Sequence, residues 1–511
     1  MIDVLLGQSY YLRFDPKLWD ARQPYAPLGT LYAAAHLRAR GHDVRLFDAM
    51  LAGSETGWGD ALDRWQPRLA VIYEDSFNYL SKMCLARMRA AALAMIDMAR
   101  ERGCPVVVSG SDATDHPELY LARGAAAVIA GEGEITLGEL ADALTGRSTS
   151  PLDRIDGLVH LDARGALTRT RPRAFVRDLD ALPLPAWDLV DVAAYRRIWR
   201  ARHGFHSMNL VTTRGCPYSC NWCARPIYGQ RYTVRSPEAV VEEMRWLAAT
   251  YDPDHFAFAD DIFGLKPGWI ARFGELVEAA GVARPFKCLM RVDLVDPAVV
   301  AGLVRAGCRT VWVGAESGSQ RVLDAMQKGT RVAQIEEATR LLTAAGIEVG
   351  FFLQFGYPGE TWDDIQHTLA MVRRCRPHDI GVSVSYPLPG TPFHERVKAE
   401  LSAKQNWDDS ADLAMMYRGP YSTRFYRALH EVTHAEFRMR RAWRDAAHPG
   451  SAGLTGARRL RRVAAAAYHA ARLPALSAAL GRLERHERLA TREAAPLFNR
   501  QSAIGNRQSE T

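Results

Sequence analysis

The sequence predicts an α/β protein in three parts: a doubly wound parallel sheet over residues 1–145, a partial barrel of six βα units over 207–410, and a helical tail from 411. Three observations carry this. Short apolar runs alternate with helical stretches through the first 145 residues. The alternation resumes after Asn209, and from about 411 it gives way to a composition rich in Ala and Arg.

In the first part the strands are expected at 4–6, 44–47, 69–73, 106–108 and 127–130, with helices over 28–40 and 82–102. Alternation at this spacing implies βαβ units, whose sheets bind ligands at the carboxyl ends of their strands. Residues 146–206 lose the period and gain Pro and Asp, which reads as a linker that packs through its Leu and Trp. Strands then fall near Leu210, Phe256, Phe286, Val311, Val349 and Gly381. Helices over 237–251, 297–306, 331–345 and 361–374 fill the gaps, and such a barrel places its chemistry at the C-terminal strand ends. The tail is expected to be helical over 411–490 and disordered over 491–511.

Of the 511 residues, 48% are hydrophobic and 24% charged, as in soluble globular proteins. The stretch 463–480 is broken by His469, Arg472 and Pro474, so no run of about 20 apolar residues is available to span a bilayer. The opening Ile2-Asp3-Val4-Leu5-Leu6 reads as a strand without a secretory signal, and a cytoplasmic location is expected. The net charge of +7 belongs to the tail: residues 411–511 hold 18 Arg and no Lys against 8 Asp and Glu, leaving the remainder at −3.

Three of the eight cysteines lie within eight residues, Cys216-Pro217-Tyr218-Ser219-Cys220-Asn221-Trp222-Cys223, directly after the strand 209–213. Three thiolates hold an iron–sulfur cubane and leave one iron without a protein ligand, open to a small chelating molecule. A zinc knuckle completed by His203 or His206 has compatible spacing. Cys288, Cys308 and Cys375 read as core residues.

Together with Thr212-Thr213-Arg214-Gly215 before it, the segment resembles the CxxxCxxC signature of the radical S-adenosylmethionine (SAM) superfamily. The resemblance spans most of 206–395. It implies that Cys216, Cys220 and Cys223 hold a [4Fe-4S] cluster, and that SAM bound there yields a 5′-deoxyadenosyl radical. Asp260 and Asp261 are similar to the second-strand segment that meets the SAM amino group, and Arg291 resembles an Arg that approaches its carboxylate. Glu316 and Ser317 resemble ribose and carboxylate contacts, and the backbone around Gly356 resembles an adenine contact.

The front sheet is Rossmann-like, yet its first strand leads into Gly7-Gln8-Ser9-Tyr10-Tyr11-Leu12, without the GxGxxG that a pyrophosphate requires. Its strand ends resemble the cobalamin-binding domain of class B radical SAM enzymes: Pro27, Leu28 and Gly29, then Ser76, Gly110 and Ser111, then Glu132 and Gly133. There is no Asp-x-His-x-x-Gly segment, and His36, His42 and His116 read as surface or capping residues.

Tail residues 415–426 resemble the segment after the barrel in the anaerobic magnesium-protoporphyrin monomethyl ester oxidative cyclase and P-methylase group, where helices close over the substrate. The run Arg458-Arg459-Leu460-Arg461-Arg462 reads as a solvated face or as a peripheral contact with an anionic membrane. No aromatic stacking platform accompanies it, so no nucleic acid is expected.

The resemblance implies hydrogen abstraction from a carbon of a small-molecule or lipid-like substrate, followed by methyl transfer from cobalamin. An electron is expected from a reductase or flavodoxin-type donor. Cyclisation or rearrangement without methyl transfer is the alternative within the same machinery, and a non-catalytic cluster or cobalamin sensor is the alternative of another class. A methylthiotransferase would need a second triad, for which the front part offers only Cys84 and Cys104.

Overall fold

The computed structural model describes residues 1–83, 85–223, 227–447 and 456–505, with side chains of 458 and 489–505 not described. Cys84, Ala224-Arg225-Pro226 after the triad, and 506–511 of the expected disordered end therefore lie outside the described residues.

The first seven strands are β1 (Ile2–Gly7), β2 (Val44–Leu46), β3 (Pro67–Tyr73), β4 (Val106–Ser109), β5 (Ala127–Ile129), β6 (Leu158–Leu161) and β7 (Leu167–Arg169). They form one sheet in the order β2-β1-β3-β4-β5-β6-β7. The first five are parallel, with Val4 opposite both Val44 and Leu69, and Val107 opposite both Val71 and Ala127. Residues Leu69 to Tyr73 are all buried, as helix-covered parallel strands require. The chain leaves β1 to one side and β3 to the other, so the topological switch point, where such sheets bind ligands, lies between these two strands.

The segment read as a linker contributes more than packing. Its strands β6 and β7 form an antiparallel hairpin that extends the front sheet from β5. The turn is set by Asp162, whose carboxylate accepts from the backbone N–H of Arg164 and Ala166, and by Gly165 in the left-handed region. The helix Val192–His203 follows, capped by Asp191.

The second sheet holds β8 (Ser207–Leu210), β11 (His255–Phe258), β12 (Phe286–Met290), β13 (Cys308–Glu316), β14 (Glu348–Phe355) and β15 (Asp379–Val384). All six are parallel, in strict chain order. Between β8 and β11 a clip of β9 (Thr213–Arg214) and β10 (Thr233–Val234) closes the cysteine loop. Two long helices, Thr423–Ala447 and Gly456–Gly505, follow. They run antiparallel, joined by Arg462–Asp445, Arg472–Glu431 and Ser422–Glu487 contacts. The first is fastened to the barrel helix Trp362–Cys375 by the Arg373–Glu436 pair. Among the described residues no helix is long and apolar enough to cross a membrane.

Candidate active site

The cysteine loop is fixed at both ends before any ligand is considered. Asp260, at the end of β11, is buried and accepts four hydrogen bonds from the exit of β8. Its carboxylate takes the backbone N–H groups of Thr212 and Thr213 at 2.7 Å each and their hydroxyls at 2.8 and 3.1 Å. Burial pushes this carboxyl up to about 6, against those donors. Gly215 follows at φ +77°, where a Cβ would stand 2.3 Å from the Arg231 carbonyl oxygen, so the position admits only glycine.

Inside the loop, Asn221 is pinned from three segments. Its amide donates to Ala325 O, its backbone N–H to Met326 O, its side-chain oxygen accepts from the Tyr357 hydroxyl, and its carbonyl accepts from Phe393 N. Cys220 is buried, while Cys216 and Cys223 are half-buried. His203 and His206 precede β8 and so lie at the opposite end of that strand from the thiols. His203 Nε2 faces the carbonyls of Ala21 and Arg22, and burial, then nearby arginines, hold the His206 imidazole down to about 4. Neither histidine completes a zinc site with the triad. Among the described residues no three Cys, His, Asp or Glu side chains are gathered for a single ion.

Around the loop, the barrel gathers Arg291 and Glu316 about Lys328, while the other expected contacts are engaged by the chain itself. The buried Arg291 guanidinium is held in a two-pronged bond by Asp293 at 2.9 and 3.0 Å and donates to Lys328 O at 2.9 Å. It lies 3.6 Å from the centre of the Tyr218 ring and 3.9 Å from the Cys220 sulfur. Glu316 sits at φ +55° where the β13–β14 register shifts, and its carboxylate accepts from Lys328 Nζ at 2.8 Å. A non-glycine residue held there marks local strain, which collects at functional sites. Lys328, 5.9 Å from the Trp222 ring centre, was missed by the sequence reading.

Asp261 is paired with Lys82 of the front part at 2.5 Å. Ser317 is turned away, bonding the Thr368 hydroxyl and the Ser319 N–H. The Gly356 backbone is bonded on both sides by the chain itself, its N–H by Glu360 at 2.6 Å and its carbonyl by the Tyr417 hydroxyl; a Cβ there would meet Met415 at 3.1 Å and Tyr426 at 3.2 Å. The tail segment 415–426 thus packs on the end of the fifth barrel strand.

The small residues at the front strand ends are closely packed by their own chain. Pro27 precedes the helix Leu28–Ala39, and Leu28 is fully buried. The Gly29 N–H is taken by Asp75 at 2.9 Å, and Cβ atoms on Gly110 and Gly133 would meet Glu74 and the Tyr73 hydroxyl, both at 2.7 Å. Ser76 and Ser111 are buried beside them. Glu132 accepts from Val176 N and, with Glu134, grips Arg214 of the cysteine loop. Unsatisfied polarity collects at the switch point. Gln8, just past β1, is fully buried with neither amide atom partnered, and past β3 the Glu74 Oε2 is likewise without a partner among the described residues. Burial pushes Glu74 up to about 7. Groups of this kind are costly unless a ligand satisfies them.

The barrel is open between β8 and β15, and the front part covers the opening. Between them lies a cavity of about 530 Å3 bounded by Tyr10, Met50 and Phe77 on one side and by Lys287, Trp312 and Phe352 on the other.

Residues 210–372 match the family model of the Radical SAM superfamily. This segment is a radical SAM domain. The chain is 27% identical to an uncharacterized methyltransferase of Pyrococcus horikoshii over 75% of its length and 80% of that protein's. It is also 27% identical to the hopanoid C-3 methylase of Methylococcus capsulatus, over 74% and 70%. In fold it matches the cobalamin-dependent SAM radical enzyme OxsB, solved with aqua-cobalamin and SAM bound, at a TM-score of 0.68 and 18% identity, covering 90% of this chain and 70% of that one.

Proposed function

We propose that the chain is a radical SAM methyltransferase that modifies a carbon of a small molecule, with residues 1–145 as the cobalamin unit and 207–410 as the radical unit. When bound, the cluster and SAM supply a radical that removes a hydrogen atom, and cobalamin supplies a methyl group. Cys216, Cys220 and Cys223 would hold the cluster. Arg291, oriented by Asp293 and touching Cys220, would receive the SAM carboxylate, and Glu316 with Lys328 would border its ribose. Asp260 would act as a positioning residue that keeps the loop's entry in place. The observation that carries the reading is the placement of the three cysteines at the barrel mouth, against Arg291 and opposite a front sheet with unsatisfied polar atoms at its switch point. A flavodoxin-type protein or a reductase would deliver the electron.

Gln8 tests the cobalamin half and separates methyl transfer from cyclisation without it. Replacing its two orphaned atoms by a methyl group, as in Gln8→Leu, removes a desolvation penalty from the empty protein and removes a partner from the ligand. The variant should be at least as stable to heat as the wild type yet bind hydroxocobalamin about tenfold more weakly, about 1.4 kcal/mol, in absorbance titrations. Equal affinity in the two proteins would remove the switch point from the proposal; no binding by the wild type would remove methyl transfer and leave cyclisation or rearrangement.

A second observation favours contact with an anionic membrane. Four large apolar side chains are exposed along the helical hairpin: Trp443, Leu460, Val463 and Tyr468, with Leu460 at 72%. Arg459, Arg461 and Arg462 are exposed among them. Apolar side chains flanked by arginines suit a headgroup boundary. The protein should sediment with vesicles rich in phosphatidylglycerol and stay in solution with phosphatidylcholine alone. Replacing the three arginines by Gln should abolish the difference, and equal sedimentation with both lipids would remove the proposal.

A further inference from the structure

The floor of the barrel cavity holds a cation that the radical chemistry does not use. Lys287, on β12, stands opposite Ala257 and Thr310, and its Nζ lies 4.8 Å from the centre of the Tyr25 ring. Among the described residues it has no carboxylate partner. Its neighbour His255 brings no second charge, because burial, then Lys287 itself, hold that imidazole down to about 4. The carboxylates on the floor are engaged elsewhere. Glu348, two strands away, is held by Arg309 at 3.0 Å and Thr310 at 3.2 Å, and Asp379, on the far strand, bonds the N–H of Ile380. A half-buried ammonium facing a cavity with only an aromatic face beside it is poorly compensated, and an anion there would gain most of what burial takes away.

Directly above this floor the wall is aromatic. Trp312 stands opposite Gly350, where a Cβ would meet the indole at 2.4 Å; only glycine lets the ring lie back against the strand. Phe352 stacks on Trp312 with ring centres 4.8 Å apart and an angle of 28°, and it remains 40% exposed to the cavity. An exposed stacked pair offers a flat face to a flat or polycyclic ligand. From Lys287 to Arg291 the strand climbs four residues, roughly 13 Å at the usual rise.

We propose that Lys287 anchors a carboxylate, or an equivalent anionic group, of a substrate whose ring system lies against Trp312 and Phe352 and whose reacting carbon sits at the rim beside Arg291, roughly 13 Å above the anchor. This rests on the radical reading for the position of the reacting carbon, whereas the anchor itself is testable without cofactors.

The test compares two fluorescent probes of one shape, 1-pyrenebutyrate and 1-pyrenebutanol, titrated into the full-length protein. Wild type should bind the carboxylate at least tenfold more tightly. Lys287→Met should erase that preference while leaving the alcohol's affinity unchanged, which also reports that the variant is folded, and Lys287→Arg should retain it. Trp312→Ala should weaken both probes together. The proposal is overturned if wild type binds neither probe or shows no preference, if the preference survives in Lys287→Met, or if Trp312→Ala changes neither affinity. No outcome depends on SAM cleavage, so failure here and failure of the radical assignment are distinguishable.

Discussion

Cys220→Ala is expected to give a protein that, after anaerobic reconstitution with iron and sulfide, lacks the broad visible absorption of an iron–sulfur cluster and cleaves SAM reductively only at background. Cys220 is the buried member of the triad, and its sulfur is the one that Arg291 approaches at 3.9 Å. The change therefore removes a ligand and also the group against which the expected SAM contact is set. It should do so without unfolding the loop, because the neighbouring Asn221 fixes the segment through four hydrogen bonds that do not involve the thiol. Thermal midpoints should thus differ little while activity disappears. Arg291→Met provides the contrast: it keeps all three thiols, so the absorption should survive while the SAM concentration needed for half-maximal cleavage rises. Reductive cleavage by Cys220→Ala at the wild-type rate would remove the triad from the mechanism.

Much of the architecture was legible because it is written locally. The apolar runs of β1, β3 and β4 and the helices between them follow from neighbours in sequence, and the triad declares itself within eight residues. Groups that act across the fold were not legible. Lys328 carries no motif; it reaches Glu316 only because the short helix Gln320–Ala325 folds back after β13. Glu132 reads as a strand-end ligand contact, and its pairing with Arg214 spans 82 residues. Asp260 reads as a residue facing SAM, whereas both its oxygens are occupied by Thr212 and Thr213. The hairpin of β6 and β7 was hidden for another reason. β6 has four residues and β7 three, too short to display a period, so only the pairing of β6 with β5 and of β7 with β6 makes them strands.

Arg214→Met should show what joins the two halves of the molecule. Arg214 lies two residues before Cys216, and its guanidinium is buried between Glu132 and Glu134, with side-chain exposures of 3%, 6% and 2%. Three rings surround it, Tyr32, Phe77 and Tyr228, with centres 5.4 to 5.8 Å away. An ion cluster this dry contributes little net stability when whole, but removing one partner leaves two carboxylates buried without a counter-charge, a loss of about 3–5 kcal/mol. Even with Arg214 present, burial holds Glu132 above its usual range. Without the arginine the Glu132 carboxyl should take up a proton more readily still. A carboxyl whose folded pKa is raised stabilises below its unfolded value and loses that contribution as pH rises, so the deficit of Arg214→Met should be small near pH 5 and grow toward pH 8. Lys at this position should rescue little, since a single ammonium cannot reproduce the fork that reaches both carboxylates. The triple change Arg214→Met, Glu132→Gln, Glu134→Gln separates stability from positioning. It removes the stranded charges and should recover most of the denaturation midpoint, yet the cysteine loop would have lost its anchor on the front sheet, and iron loading should remain low. If the triple variant regained both midpoint and iron, the cluster would be a stability element alone; a loss below about 1 kcal/mol in Arg214→Met at pH 8 would show that water reaches the site and that the halves are held together elsewhere.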